Sequence, residues 1–230
     1  ESPQAASLLV MDAYGTQFAN RFLRDVSEQI LWRNFSYRSY YNGTNRDFDW
    51  LIPQDAEGLA TDRLEERPRV QAVHLSAAFR STANDHWKVA FTAPVTDGDR
   101  YLGVVATTVD MGSFVEFENG IHQYAFLVDG REGPNQGTIL EHPMLNELLE
   151  QGRIPDEVFQ AHMNQEVTRQ LFGVIEDPIG QLPILKGTPG LEKYQGQWIA
   201  GTARVNSRFG LSTRDQMRDT GLVVFVAENY

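Results

Sequence analysis

WKVAFTAPVTDGDRYLGVVATTVDM, residues 87–111, decides the fold. Two runs rich in Val, Thr and aromatic residues flank Thr96-Asp97-Gly98-Asp99. Gly next to Asp between two such runs predicts a tight turn joining antiparallel strands. Side chains alternate along a strand. Val89, Phe91 and Ala93 therefore face one way and Lys88, Ala90 and Thr92 the other. In the second run Val105, Thr107 and Val109 oppose Val104, Ala106, Thr108 and Asp110. One face is bulky and suits a helix. The other is small at Ala90, Thr92, Ala106 and Thr108, and a small face leaves a hollow. A covering loop fills such a hollow, alone or with a ligand.

The pattern extends outward. HLSAAFRS (74–81) adds a third strand and completes a meander. LLVMDAYGTQFAN (8–20) reads as a hairpin around Asp12-Ala13-Tyr14-Gly15. Phe22, Val26 and Ile30 are spaced for a helix over 21–32. Residues 33–50 read as a loop with a turn of helix, and 51–70 as surface loop. The opening pattern then recurs. QYAFLVDGREGPNQGTILEHP (123–143) is again strand, Asp-Gly turn, strand. Residues 144–172 carry helical spacing and 173–193 are rich in Pro and Gly. Residues 194–205 and 221–230 close as a strand pair around a polar connector, 206–220. This order predicts an α+β protein of two modules, residues 1–117 and 118–230, each an antiparallel sheet flanked by helices.

Composition removes several classes of function. The 230 residues include 41% hydrophobic side chains, enough to build cores. Net charge is -11, which argues against binding nucleic acid. No cysteine is present, so thiolate metal sites and catalytic thiols are excluded. No apolar run reaches the roughly 18 residues of a membrane span. The first residues lack the pattern of a signal peptide. The five histidines, His74, His86, His122, His142 and His162, show no metal-ligand spacing. No nucleophile elbow, zinc-protease, Walker or dinucleotide motif occurs. No cofactor and no metal are expected.

The densest chemistry is Asn34-Phe35-Ser36-Tyr37-Arg38-Ser39-Tyr40-Tyr41. Arg38 sits among four aromatic rings. A guanidinium fork suits a carboxylate or phosphate, and Tyr supplies an apolar wall with a hydroxyl. Together they can hold a small polar ligand with an anionic end. Equally, the rings can plug a sheet edge while Arg38 caps a carbonyl or pairs with an acid.

These residues resemble a known family. RSYY (38–41), followed by residues 87–111, is similar to the double Cache, or tandem PAS-like, extracytoplasmic sensor domains. FLVDGR…GTILEHP and the closing TGLVVFVAENY resemble their membrane-proximal module. NFSYRSYY, HLSAAFRST and WKVAF resemble the sensor regions of planctomycete-type bacterial Ser/Thr protein kinases. The resemblance implies a long N-terminal helix, which is missing or shortened here. It also implies flanking membrane segments, a periplasmic location and a cytoplasmic output domain outside these residues. The ligand would sit in the membrane-distal module under the R-x-Y-Y segment. Arg38 would grip it, with Tyr37, Tyr40 and Tyr41 as walls and Ala90, Thr92 and Asp110 on the small face. In the amino-acid-binding branch carboxylates hold the ligand ammonium. Those positions align with Ser81 and Thr108, and an aromatic hydroxyl position with Phe79. An ammonium without a compensating charge is costly to bury. The resemblance therefore implies a carboxylate or a neutral polar ligand, no catalysis, and a compatibility with homodimers. Two other readings stand beside it. One is a hydrolase using Asp110, His142 or His74; the other is an interaction module without a ligand.

Overall fold

The computed structural model describes residues 5–23, 30–48, 68–112, 123–150, 155–183, 192–207 and 218–229. They form two compact units, Pro3–Met111 and, in essence, Gly112–Tyr230. The expected boundary at 117/118 lies outside the described residues.

The N-terminal unit contains β1 (Ala5–Asp12), β2 (Gln17–Phe22), α1 (Ser39–Asn42), β3 (His74–Leu75), β4 (Phe79–Arg80), β5 (Trp87–Asp97) and β6 (Arg100–Asp110). Its sheet runs β2-β1-β6-β5-β3, with β4 also on β5. Every pairing is antiparallel. Asp97 pairs with Arg100, so Gly98 and Asp99 form a two-residue turn, and Gly98 takes φ +57°. That left-handed backbone is what a hairpin of this length demands. In the β1–β2 turn, Asp12 Oδ1 accepts the Tyr14 and Thr16 N–H groups. Gly15 there has φ +86°, and a Cβ would lie 2.6 Å from Ser36 Cβ.

The C-terminal unit contains β7 (Gln123–Asp129), β8 (Ile139–Glu141), α2 (Pro143–Glu150), α3 (Gln165–Arg169), β9 (Phe172–Glu176), β10 (Gln197–Ser207) and β11 (Arg218–Asn229). Its order is β8-β7-β11-β10-β9. Both units thus share one layout. The first hairpin lies at one edge, the last strand pairs with the first, and the penultimate strand follows. The repeat of organisation in the sequence is a repeat of topology.

Several expectations are corrected. Two antiparallel sheets are present as expected for an α+β chain, but the fold is mostly β, with few and short helices among the described residues. Of the helix expected over 21–32, Arg21 and Phe22 belong to β2, and 24–29 lie outside the described residues. The helical spacing read over 144–172 corresponds to three short helical pieces among the described residues. Pro155 precedes a 3-10 turn over Asp156–Gln160. Asn164 then caps α3 by accepting the Glu166 N–H at 2.8 Å. Proline and a cap residue outweigh spacing. Phe172–Glu176, read largely as loop, is the edge strand β9. HLSAAFRS is two separate two-residue strands. The loop expected over 51–70 lies mostly outside the described residues, as does the connector between Ser207 and Arg218.

The alternation read from residues 87–111 agrees with the observed register, but the helix expected on the bulky face lies on the small one. Ala90 pairs with Thr108, Thr92 with Ala106, and Lys88 with Asp110. These side chains face the core of the N-terminal unit and α1, the one helix among its described residues. The bulky face stays half-exposed at Phe91, Ala93 and Val105.

Candidate functional site: a cavity on the small face of the N-terminal sheet

A small cavity of about 20 Å³ lies on this face. Space of that size holds about one water. Leu9, Phe22, Ile30, Phe35 and Phe79 make its apolar wall. Ser7, Gln17, Arg38, Tyr40, Ser81, Lys88 and Thr108 supply its polar lining.

The arginine turn is held by one acid. Asp47 Oδ2 accepts from Arg38 Nη1 at 2.7 Å, and Asp47 Oδ1 accepts the Ser39 N–H at the start of α1 at 2.7 Å. Arg38 Nη2 donates to the Arg80 carbonyl at 3.1 Å. The guanidinium also lies 5.0 Å from the Tyr37 ring centre and 5.3 Å from that of Phe79. Arg38 therefore both pairs with an acid and caps a carbonyl, while still lining the cavity. Tyr40 packs edge-on to Phe79 with centroids 5.0 Å apart. Burial pushes its phenol well above its ordinary pKa, against the pull of Arg38, so it stays neutral.

A second charge pair lies deeper. Lys88 and Asp110 have side chains only 2% exposed, with Nζ 3.4 Å from Oδ1. Ser7 and Thr108 hydroxyls bond each other at 2.6 Å. Both cations of the cavity thus stand beside their own carboxylates.

Gln17 is different. It is fully buried, and neither Oε1 nor Nε2 has a hydrogen-bond partner. Its backbone is clamped instead: the Gln17 N–H donates to Arg33 O, and the Trp32 N–H donates to Gln17 O at 2.7 Å. The side chain is thereby fixed at the cavity wall with its amide unsatisfied.

Of the residues expected at the site, Arg38, Tyr40, Phe79, Ser81 and Thr108 line the cavity. Tyr37, Tyr41, Ala90, Thr92 and Asp110 do not. Tyr37 stacks against Arg38 from outside. Tyr41 turns the other way, because its hydroxyl donates to the Ala13 carbonyl. Ala90 is packed in the core beneath, and the Thr92 hydroxyl donates to His74 O. Asp110 lies behind Lys88, which lines the cavity. Gln17, Ser7 and Asp47 were missed. Lys88 shares the parity of Ala90 and Thr92, the one signal that could have added it. Nothing in QFANRF sets Gln17 apart.

The hydrolase reading names Asp110, His142 or His74; His142 belongs to the C-terminal unit, and His74 and Asp110 to the N-terminal one. His142 Nε2 lies 2.9 Å from Asp177 Oδ2, and its Nδ1 accepts the Met144 N–H at the start of α2. That pattern assigns the proton to Nε2. Tyr124 donates to the same Asp177 oxygen at 2.8 Å. His142 and Asp177 are fully buried, so this network is closed to a substrate. Among the described residues no cluster of His, Asp and Glu is arranged to hold a metal. A larger cleft of about 220 Å³ in the C-terminal unit is lined by Arg131, Arg169 and Arg204. Two of these pair with Asp129 and Asp219.

The architecture has known counterparts. The ligand-binding domain of the Pseudomonas aeruginosa PAO1 amino acid chemoreceptor PctB, in complex with L-Arg, is similar with a TM-score of 0.51 and 13% identity. The match covers 98% of this chain and 66% of that one. The ligand-binding domain of the Pseudomonas fluorescens chemoreceptor CtaA, in complex with L-serine, gives 0.52 and 11%, covering 98% and 73%. The sensor domain of the V. cholerae histidine kinase DctB gives 0.51 and 12%, covering 99% and 73%. The chain thus spans about two thirds to three quarters of the length of these domains. No family model matches the sequence, and no curated protein does. At these identities the likeness is one of fold: the chain shares its two-sheet architecture with these chemoreceptor and histidine kinase sensor domains.

Proposed function

We propose that this chain is the extracytoplasmic, non-catalytic sensor region of a bacterial transmembrane signalling protein, and that a small polar ligand, anionic or neutral, binds in the cavity of the N-terminal unit. The observation that carries this is Gln17, a fully buried amide with both polar atoms unpaired at the wall of a cavity. Protein interiors rarely leave such groups unsatisfied, and those left open call for a water or a ligand. The fold supports the reading, because the PctB and CtaA domains of this architecture hold amino acids. Here an α-amino acid fits less well. Its ammonium needs a carboxylate, and Asp47 and Asp110 already face Arg38 and Lys88.

In this reading Arg38, Tyr40, Phe79, Ser81 and Thr108 contact the ligand, while Tyr37, Tyr41, Ala90, Thr92 and Asp110 support the wall behind it. A ligand that favours one packing of the N-terminal unit shifts the population toward it, which is the signal. The resemblance of NFSYRSYY and HLSAAFRST to planctomycete-type kinase sensors is the ground for reading the output domain as a Ser/Thr kinase. The test is a thermal-shift panel of amino acids, mono- and dicarboxylates, amines and amides, with native mass spectrometry of the purified protein. Saturable stabilisation by at least one member is expected. A panel without any response, on protein that carries no co-purified molecule, overturns the reading.

A further inference from the structure

We infer that the ligand is an uncharged small molecule with an apolar body and an amide-like head, offering a hydrogen-bond acceptor and an adjacent N–H donor, and that Gln17 reads that head. This rests on the sensor reading above and narrows it.

Three observations lead there. First, a carboxamide presents two donors and one acceptor. In Gln17 both ends are open, and exchanging O and N leaves them so. A carboxylate could accept from Nε2 but would set its own lone pairs against Oε1. An ammonium could donate to Oε1 but would face the N–H bonds of Nε2. An amide satisfies both at once, edge to edge. Second, the charges of the cavity are already balanced. Arg38 lies against Asp47 at 2.7 Å and Lys88 against Asp110 at 3.4 Å. A charged ligand would add a net charge to a buried site, which is costly without a partner. Third, the rest of the wall is Leu9, Phe22, Ile30, Phe35 and Phe79, which suits a short hydrocarbon body.

The observed space holds about one water, so a ligand must displace it and spread the wall. A bound water alone is therefore the competing outcome. The experiment compares three probes of equal length, butyramide, butyrate and butylamine, by isothermal titration of the intact chain and of Gln17→Met. Butyramide should bind, and both charged analogues should bind at least about tenfold more weakly, since sites built on paired donors and acceptors reject mismatched heads strongly. In Gln17→Met, butyramide binding should fall by at least about tenfold, while circular dichroism and the unfolding midpoint show a folded protein. Preference for butyrate or butylamine overturns the inference and leaves the sensor reading standing. Butyramide binding unaltered by Gln17→Met also overturns it. Absence of binding by all three overturns it too, in favour of a structural water, and the wider panel above then decides the sensor reading separately.

Discussion

Replacing Gln17 with methionine should make the protein more stable in the absence of ligand. The two side chains have equal length, and methionine fits irregular space without polar demands. Gln17 is fully buried and both polar atoms lack partners. Each unsatisfied buried group costs about 1–3 kcal/mol. Two such groups set an upper bound of about 2–6 kcal/mol. A water in the cavity offsets part of this, since bridging waters are nearly as good as direct bonds. The expected net gain is therefore about 1–3 kcal/mol. For a chain of this length each kcal/mol moves the midpoint by about 2–4 °C, so the shift is about 2–12 °C. Differential scanning calorimetry at neutral pH measures it. A midpoint that is unchanged or lower, with native circular dichroism, would mean that Gln17 is already satisfied inside the protein, and the argument from its open amide would fail. Stability gained where binding is lost is the usual signature of a residue kept for function.

Other substitutions test the surrounding chemistry. Asp47→Ala removes both the partner of Arg38 and the acceptor at the start of α1, and should cost about 1–3 kcal/mol in urea unfolding; no loss would mean that the arginine turn is held by its ring contacts. Tyr124→Phe deletes one donor to buried Asp177 and should also cost about 1–3 kcal/mol in the same assay, whereas a neutral result would show that the remaining donors suffice. Burial alone would raise the Asp177 carboxyl, but the hydrogen bonds from His142, Tyr124 and the Ile179 N–H hold it below the usual carboxylate range. A depressed folded pKa gives stability that is fully present above the unfolded value, about 3.9, and is lost as pH falls through the folded one. Asp177→Asn should therefore flatten the acid limb of stability against pH below about pH 4; an unchanged acid limb would place the linkage on other carboxyls.

The sheets were legible because their signals are local. Period-two alternation in residues 87–111 and the Asp97-Gly98 turn specify the strands and their faces, whereas the register does not follow from them: a bulge between Val95 and Thr96 shifts it by one, so that Ala90 pairs with Thr108. The helices were not, since spacing over 144–172 describes an apolar face without saying whether it is continuous. Pro155 and Asn164 break it. At the cavity the sequence shows residue types but not which partner each one finds. Arg38 is conspicuous among its tyrosines, yet Asp47, nine positions on, is what engages it. Tyr41 looks equivalent to Tyr40 until one turn of helix sends its hydroxyl to Ala13. Gln17 is invisible to such reading because its meaning is an absence of partners, which only packing reveals.

The shared topology also argues for where a ligand can bind. β1, β5 and β6 occupy in one sheet the positions of β7, β10 and β11 in the other. On the core face of the second sheet those strands carry Tyr124, Phe126, Trp198 and Phe225. The rings fill the space with edge-on and stacked contacts, and Tyr194 and His142 complete the packing. Asp177 there takes donors from Tyr124, His142 and Ile179, while the Trp198 indole N–H is buried without a partner among the described residues. The matching strands of the first sheet carry Ser7, Ala90, Ala106 and Thr108, with Lys88 and its carboxylate at the end. Small side chains there leave room beneath α1, and Gln17 borders that room with bonds unmade. Aromatic side chains pack the core of the C-terminal unit closely. Under the proposed sensor reading, small-residue filling gives the other unit a core whose packing a guest would improve. In that reading, a shift in packing driven by that gain is what a ligand would exploit, and it favours the N-terminal unit as the one that responds.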